Sequence, residues 1–301
     1  MARLVWFDTD LLTDKDPHLR EEIFRGIMMR CGWRNGSLMA EIPRLSSIKR
    51  MASEHIPDGL SMGRLHAVLE RIAKGRLSLL IPGLEGDSHE ARAKGTPLVS
   101  YLLTRDGSKI EANPRFRDVE DYLLEPPPMK TRNAWNDPEL ERSIDLLIIG
   151  SRQVDLVDQY LPLDRRNPIL QHLTQKFDRR GEFHRHLTGR PQLRLHCAER
   201  FQGQIQDRAT VSSVLEQMKV PTLAEAFDVS LCLWPQKALH SRFILGDIGG
   251  LMLGESLNMP GPVNVTVIQD HSEMRHSLDA GILSGEFAVR IIPQPRTSPS
   301  S

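Results

Sequence analysis

No apolar run of about 18 residues occurs anywhere in the 301-residue chain, so a membrane-spanning helix is not expected. Nor does a basic start lead into an apolar export core, and secretion is equally unsupported. No charge of one sign dominates: Lys plus Arg number 39, and Asp plus Glu number 39. That balance excludes a global field drawing the protein onto nucleic acid or an anionic bilayer, so any such binding must use a local patch. Cysteine is scarce. Cys31, Cys197 and Cys232 are widely separated, which fits neither a disulfide framework nor a zinc ribbon and makes a reducing cytoplasm the simplest setting. No repeat of solenoid period is present.

What the chain does contain is ordinary for a soluble globular protein: 40% hydrophobic and 26% charged residues. Its length exceeds the roughly 100 to 200 residues of one domain, so two units are expected. "ARLVWFDTDLL" reads as a buried strand ending in acids, and "DKDPHLREEIFRGIMMR" as a helix. Leu65, Val68, Leu69 and Ile72 recur at helical spacing, Gly75 supplies a stop, and Leu77 to Ile81 form a strand. Asp106-Gly107 between two apolar stretches reads as a hairpin turn. Residues 1–125 are therefore expected to form an α/β domain, and the proline-rich stretch 126–140 to be a linker. Residues 141–292 then form a second α/β domain, with 293–301 as a loose tail. In that domain helices are expected at "NPILQHLTQKF", "TVSSVLEQM" and "HSEMRHSLDAGIL". Strands are expected at "QLRLHC", "FDVSLCLW", "RFILGD", "GGLMLGE" and "VNVTVIQD".

The stretch richest in chemistry is "HSRFILGDIGGLMLGESLN". On a strand, side chains at i and i+2 face the same way, so His240 and Arg242 stand together and can grip one anion. Asp247 can accept a ring N–H from a histidine and fix its tautomer. Gly249 and Gly250 permit a sharp turn, while Gly254, Ser256 and Asn258 can donate hydrogen bonds to phosphate oxygens. These residue types suit phosphodiester chemistry without a metal: an imidazole nucleophile, and a fixed cation opposite developing charge. The simpler alternative is a β-hairpin in which Arg242 pairs with Asp247 and His240 is a satisfied core histidine.

The spacing of His240, Arg242 and Asp247, followed six residues later by Gly254-Glu255-Ser256-Leu257-Asn258, resembles the signature of the phospholipase D superfamily. It is most similar to divergent members with a His-x-Arg strand, including the domain that follows microtubule-interacting modules, and bacterial relatives. "VDLVDQYLPL" resembles the strand that opens such domains. The resemblance covers roughly Ser143 to Gly285. It implies a mixed sheet flanked by helices, preceded here by a smaller α/β region. It also implies His240 as nucleophile, Arg242 as phosphate clamp and Asp247 as support, with no cofactor. Nucleic acid is the implied partner, a homodimer the implied assembly because only one motif is present, and phage defence or nucleic-acid processing the implied setting, with another protein of the same system as a further partner. Arg242 stands where the family signature has lysine, and the loop carries one additional residue. Both features match the divergent, often non-hydrolytic branch, for which the alternative is a dimeric module that binds nucleic acid or anionic lipid without cleaving it.

Three further groups carry candidate chemistry. Asp8 and Asp10 follow an apolar strand and weakly resemble the opening of PIN-type ribonucleases, which would bind a divalent metal through these and further carboxylates, Glu41 being a nominal third. A helix-start cluster of acids continuing through Asp14 and Asp16 explains them more simply. His184, His186, His196 and Cys197 lack the paired spacing of a structural zinc site. Arg179, Arg180, Arg185 and Arg190 are the best local candidate for a phosphate-backbone patch, although such a run is usually a solvated surface.

Overall fold

In the computed structural model the chain divides into two units, Met1–Met129 and Lys130–Ser301. The structure describes residues 2–14, 16–42, 44–55, 59–74, 78–80, 88–96, 98–107, 115–125, 130–134, 137–161, 191–198, 200–201, 204–205, 228–235, 238–239, 241–254, 262–268, 271–283 and 289–291. Among them no helix is long and apolar enough to cross a membrane.

The first unit is built on a parallel sheet of β1 (Arg3–Phe7), β2 (Ser37–Glu41), β3 (Ser78–Leu80), β4 (Val99–Thr104) and β5 (Phe116–Asp118), in the order β3-β2-β1-β4-β5. Around it lie α1 (Thr9–Leu12), α2 (Pro17–Arg30), α3 (Leu45–His55), α4 (Gly59–Lys74), α5 (His89–Gly95) and α6 (Val119–Leu124). The central strand β1 is apolar on both faces because both are covered, as in parallel sheets generally. Its Val5 and Phe7 pack with Ile23 and Ile27 of α2, Ile48 of α3, and Leu65, Leu69 and Ile72 of α4. Asp16 caps α2 by accepting from the His18 N–H at 2.9 Å, and Pro17 occupies the first helical position, where a missing N–H costs nothing. The second strand of the hairpin expected at Asp106-Gly107 lies outside the described residues. The next described strand, β5, runs parallel to β4, which no two-residue turn can achieve.

The second unit carries a mixed sheet in the order β15-β11-β8-β7-β12-β13-β14-β6. Its strands are β6 (Lys130–Ala134), β7 (Gln153–Val157), β8 (Gln192–Ala198), β11 (Asp228–Trp234), β12 (Arg242–Leu245), β13 (Gly250–Leu253), β14 (Pro262–Ile268) and β15 (Val289–Ile291). A two-stranded ribbon, β9 (Arg200–Phe201) with β10 (Gln204–Ile205), stands apart. β7, β8 and β11 are parallel, and the other pairings in the large sheet are antiparallel. Among the described residues two helices accompany them, α7 (Pro138–Ile149) and α8 (His271–Leu283). One sheet face packs Val157, Cys232, Trp234, Phe243 and Leu245 against Leu278, Met274 and Ile282 of α8.

The protein is thus α/β, with a parallel sheet in one unit and a helix-flanked mixed sheet in the other. The division between Met129 and Lys130 falls inside the stretch 126–140 expected to be a linker. Of that stretch, Lys130–Ala134 is the edge strand β6. Asp137 caps α7 through the amides of Glu139 and Leu140, at 2.8 and 3.1 Å. Proline at a helix start and a strand at a sheet edge both tolerate the composition that suggested a linker. The closing helix and the four β-rich pieces from 228 to 268 fall where periodicity places them. The helices expected at 167–177 and 210–218, and the tail 293–301, lie outside the described residues. All three cysteines are buried thiols.

Candidate functional site

The order of the second sheet creates a topological switch point. Successive parallel strands β7, β8 and β11 move away in one direction, and the chain then returns to lay β12 on the opposite side of β7. Open α/β sheets bind ligands in the crevice at such a point, outside the carboxyl ends of the parallel strands. Asp158 lies one residue past β7, and Arg242 opens β12 directly across from it, continuing the register Phe243 to Val157. Asp158 is fully buried; its Oδ1 accepts from the Tyr160 N–H at 2.9 Å and lies 3.4 Å from Arg242 Nε. The first contact is an Asx turn, which fixes the carboxylate before it meets the guanidinium. Tyr160 is 41% exposed, and its ring centroid is 5.8 Å from the Arg242 guanidinium carbon.

Of the residues expected to accompany Arg242, Gly254 reaches the same edge, because Leu253 pairs with Arg242. Its N–H, however, donates to the Asn264 carbonyl at 2.8 Å rather than to a ligand. Ser241 is exposed and Leu239 is buried in the core. His240, Ser256 and Asn258 lie outside the described residues, as do Arg179, Arg180, Arg185, Arg190, His184 and His186. The structure does not bring Asp247 to Arg242: the two occupy opposite ends of β12. The expected alternative, an Arg242–Asp247 salt bridge, is therefore replaced by two separate pairs, Arg242 with Asp158 and Asp247 with Arg275.

Asp247 instead joins a buried polar network between the sheet and α8. Its carboxylate accepts from Arg275 and from the backbone N–H groups of Arg152, at 2.6 Å, and Gln153, at 3.4 Å; its own N–H donates to Ser151 Oγ at 2.8 Å. The turn that holds it passes so close to Ser151 that a Cβ at Gly246 would lie 2.3 Å from the hydroxyl. At the network's centre is Asp155, fully buried on β7. It accepts from Arg194 Nε, His196 Nε2 (3.1 Å), Arg275 Nε (3.2 Å) and Gln153 Nε2 (3.2 Å). Arg194 is shared with Asp279 of α8 at 2.5 Å. Arg275 and Asp279, four residues apart on one helix face, thus clamp two strands of the sheet.

The electrostatics assign protonation states. Burial alone would raise the Asp155 carboxyl, but hydrogen bonds from His196 and Arg194 outweigh it and hold the group below the usual carboxylate range. His196 is depressed, because burial penalises its charged form more than Asp155 favours it. Geometry agrees. Trp234 Nε1, which can only donate, lies 3.0 Å from His196 Nδ1, so Nδ1 is the acceptor and the proton sits on Nε2, facing Asp155. His196 is therefore a fixed neutral tautomer belonging to the network, not a metal ligand. The sequence alone does not bring Arg194, His196, Arg275 and Asp279 together as a group. The available signal was the alternation of Arg194 and His196 in an otherwise apolar strand, together with the i, i+4 pair on the closing helix.

In the first unit Asp8 sits at the carboxyl end of β1, beside β4, at the switch point of that sheet. Its pKa is raised by burial, and by the charges of Asp10 and Glu90. Asp8 also caps α1, accepting from the Asp10 N–H at 3.3 Å, and Thr9 Oγ1 lies 3.2 Å from His89 Nδ1. Glu41 ends β2. Among the described residues no three His, Cys, Asp or Glu side chains converge as metal ligands. Compared with known proteins, the chain matches no family model and no curated protein sequence.

Proposed function

We propose that the second unit recognises a phosphodiester at the switch point of its sheet, in the manner of the phospholipase D-like proteins that its motif resembles. The observation that supports this reading is Arg242: a partly exposed guanidinium beside a buried carboxylate, at the end of the strands where open α/β sheets take ligands. Nucleic acid is the favoured source of the phosphodiester. Arg242 clamps the phosphate, His240 is the candidate nucleophile two residues away, and Asp247 supports the strand from its far end. In hydrolysis the imidazole would bond to phosphorus as the bond to the leaving oxygen breaks, and water would then release the phosphoryl group from nitrogen. A homodimer would supply a second copy of this edge, in keeping with a single motif per chain.

The test is a binding and cleavage assay on the purified protein with labelled oligonucleotides, with and without EDTA. The reading expects binding that is weakened by Arg242→Ala, and any cleavage to persist in EDTA and vanish in His240→Ala. Binding without cleavage identifies a non-hydrolytic recognition module. Oligonucleotide affinity indifferent to Arg242 overturns the proposal. A second reading draws on Asp8, a half-buried acid at the switch point of the first sheet: a metal-dependent nuclease of PIN type. It expects cleavage that requires a divalent cation and is lost in Asp8→Ala.

A further inference from the structure

The switch point pairs its cation with an aromatic ring that is open to solvent. Among the described residues only four large hydrophobic side chains are exposed, and Tyr160 is the one that lies beside Arg242. An exposed Tyr at a turn is unremarkable by itself, but here the backbone that carries it is fixed. The Tyr160 N–H donates to Asp158, whose same oxygen lies 3.4 Å from Arg242 Nε, so one buried carboxylate faces both residues. The cation over the ring further orients it. A guanidinium and an aromatic face side by side are the two elements with which single-stranded nucleic acids are held: one takes the backbone phosphate, the other stacks on a base. In a duplex the base faces are already occupied by their neighbours, so a ring at a sheet edge reaches only a splayed base.

We infer that Tyr160 is a stacking platform for a nucleobase adjoining the phosphate held by Arg242, and that the ligand of this site is single-stranded nucleic acid. The inference rests on the phosphodiester reading above and adds the base contact. Asp158 then acts as a positioning residue that holds both groups in register, without touching the ligand.

The experiment is fluorescence anisotropy on the full chain with four probes. These are a single-stranded oligonucleotide, the same strand with its bases replaced by abasic sites, its duplex, and phosphatidylcholine vesicles containing phosphatidic acid. The expected result is that the base-bearing strand binds about 5- to 100-fold more tightly than the abasic one. Tyr160→Ala should remove that difference and Tyr160→Phe retain it, while Arg242→Ala weakens both strands. Thermal melts of each variant separate lost binding from lost folding, and rescue by phenylalanine does so independently. If Tyr160→Ala binds both strands as the parent does while Arg242→Ala still weakens them, stacking is refuted and phosphate recognition stands. If Arg242→Ala changes nothing, both fail. Tighter binding of duplex or of vesicles than of the single strand also overturns the inference.

Discussion

Replacing Asp155 by asparagine removes the charge on which the interior of the second unit is organised, and its cost follows from the partners it leaves. The wild-type carboxylate accepts from Arg194, His196, Arg275 and Gln153. Asparagine has one acceptor oxygen, and its NH2 group must face a donor. Removing one partner of a buried ion pair costs about 3–5 kcal/mol. Here both arginines keep a second acid, Asp279 for Arg194 and Asp247 for Arg275, so the lower end, about 3 kcal/mol, is expected. For a unit of about 170 residues each kcal/mol lowers the midpoint by roughly 2–4 °C, which places the Asp155→Asn transition roughly 6–12 °C below the parent's. Scanning calorimetry of both proteins at pH 7 reads this directly. The pH dependence supplies a second check. Because the folded carboxyl lies below its ordinary value, the native state holds no extra proton where the unfolded chain begins to bind one. The advantage over asparagine is therefore complete above about pH 5 and lost as pH falls through the unfolded value of about 4 toward the folded one. A variant melting within 2 °C of the parent at pH 7, or a gap that stays constant down to pH 2, would refute the assignment of Asp155 as the ionised centre.

His196→Gln should flatten the acid side of the stability profile. The depressed native ring resists a proton that the unfolded chain accepts near pH 6.5, so wild-type stability falls below that pH by at most about 1.4 kcal/mol per unit. Glutamine carries no such slope, and urea midpoints from pH 7.5 to 5 compare the two. Gly281→Ala should destabilise even though alanine favours a helix by about 1 kcal/mol. The added Cβ would lie 2.4 and 2.6 Å from carbons of the buried Trp234 ring, and overpacking of this kind costs about 1–3 kcal/mol; thermal melts give the sign. Asp247→Asn should lower stability by about 1–3 kcal/mol, through its contacts with Arg275 and two backbone amides, yet leave oligonucleotide affinity unchanged at saturating folded protein. Anisotropy titration showing a loss as large as that of Arg242→Ala would return Asp247 to the binding edge.

Much of this architecture is legible in the sequence because it is local. A continuous apolar run finds β1, and short β-rich runs and the period-3.6 pattern find β11 to β14, α4 and α8, since burial of each element dictates where its apolar residues fall. The parallel course of β4 and β5 is not local, and the Asp-Gly signal that suggested a hairpin says nothing of how strands farther along will pair. The stretch 130–140 misleads for a related reason: proline and polar residues mark linkers, edge strands and helix starts alike.

The motif shows where local reasoning about a site stops. Five residues separate Arg242 from Asp247, and at about 3.3 Å per residue an extended chain carries them roughly 16 Å apart, so strand geometry alone argues against their pairing. What it cannot supply is the meeting of Arg242 with Asp158, 84 residues earlier in the chain, which comes about only because β12 returns to lie against β7. The i, i+2 logic that sets His240 beside Arg242 applies equally to Arg194 and His196 on β8. Those two lie on the face that α8 covers, where burial turns a polar pair into a neutralised network with acids on neighbouring strands and helix. Arg242 lies on the alternate side of its strand from Phe243 and Leu245, which pack toward α8, and its side chain stays 27% exposed at the sheet's edge. Arg242 differs from Arg194 through its place at the start of a strand rather than through an open face, since Ile244 on the same face of β12 is fully buried. A polar pair on a strand is a candidate ligand site only once it is known which parts of that strand the rest of the chain leaves uncovered.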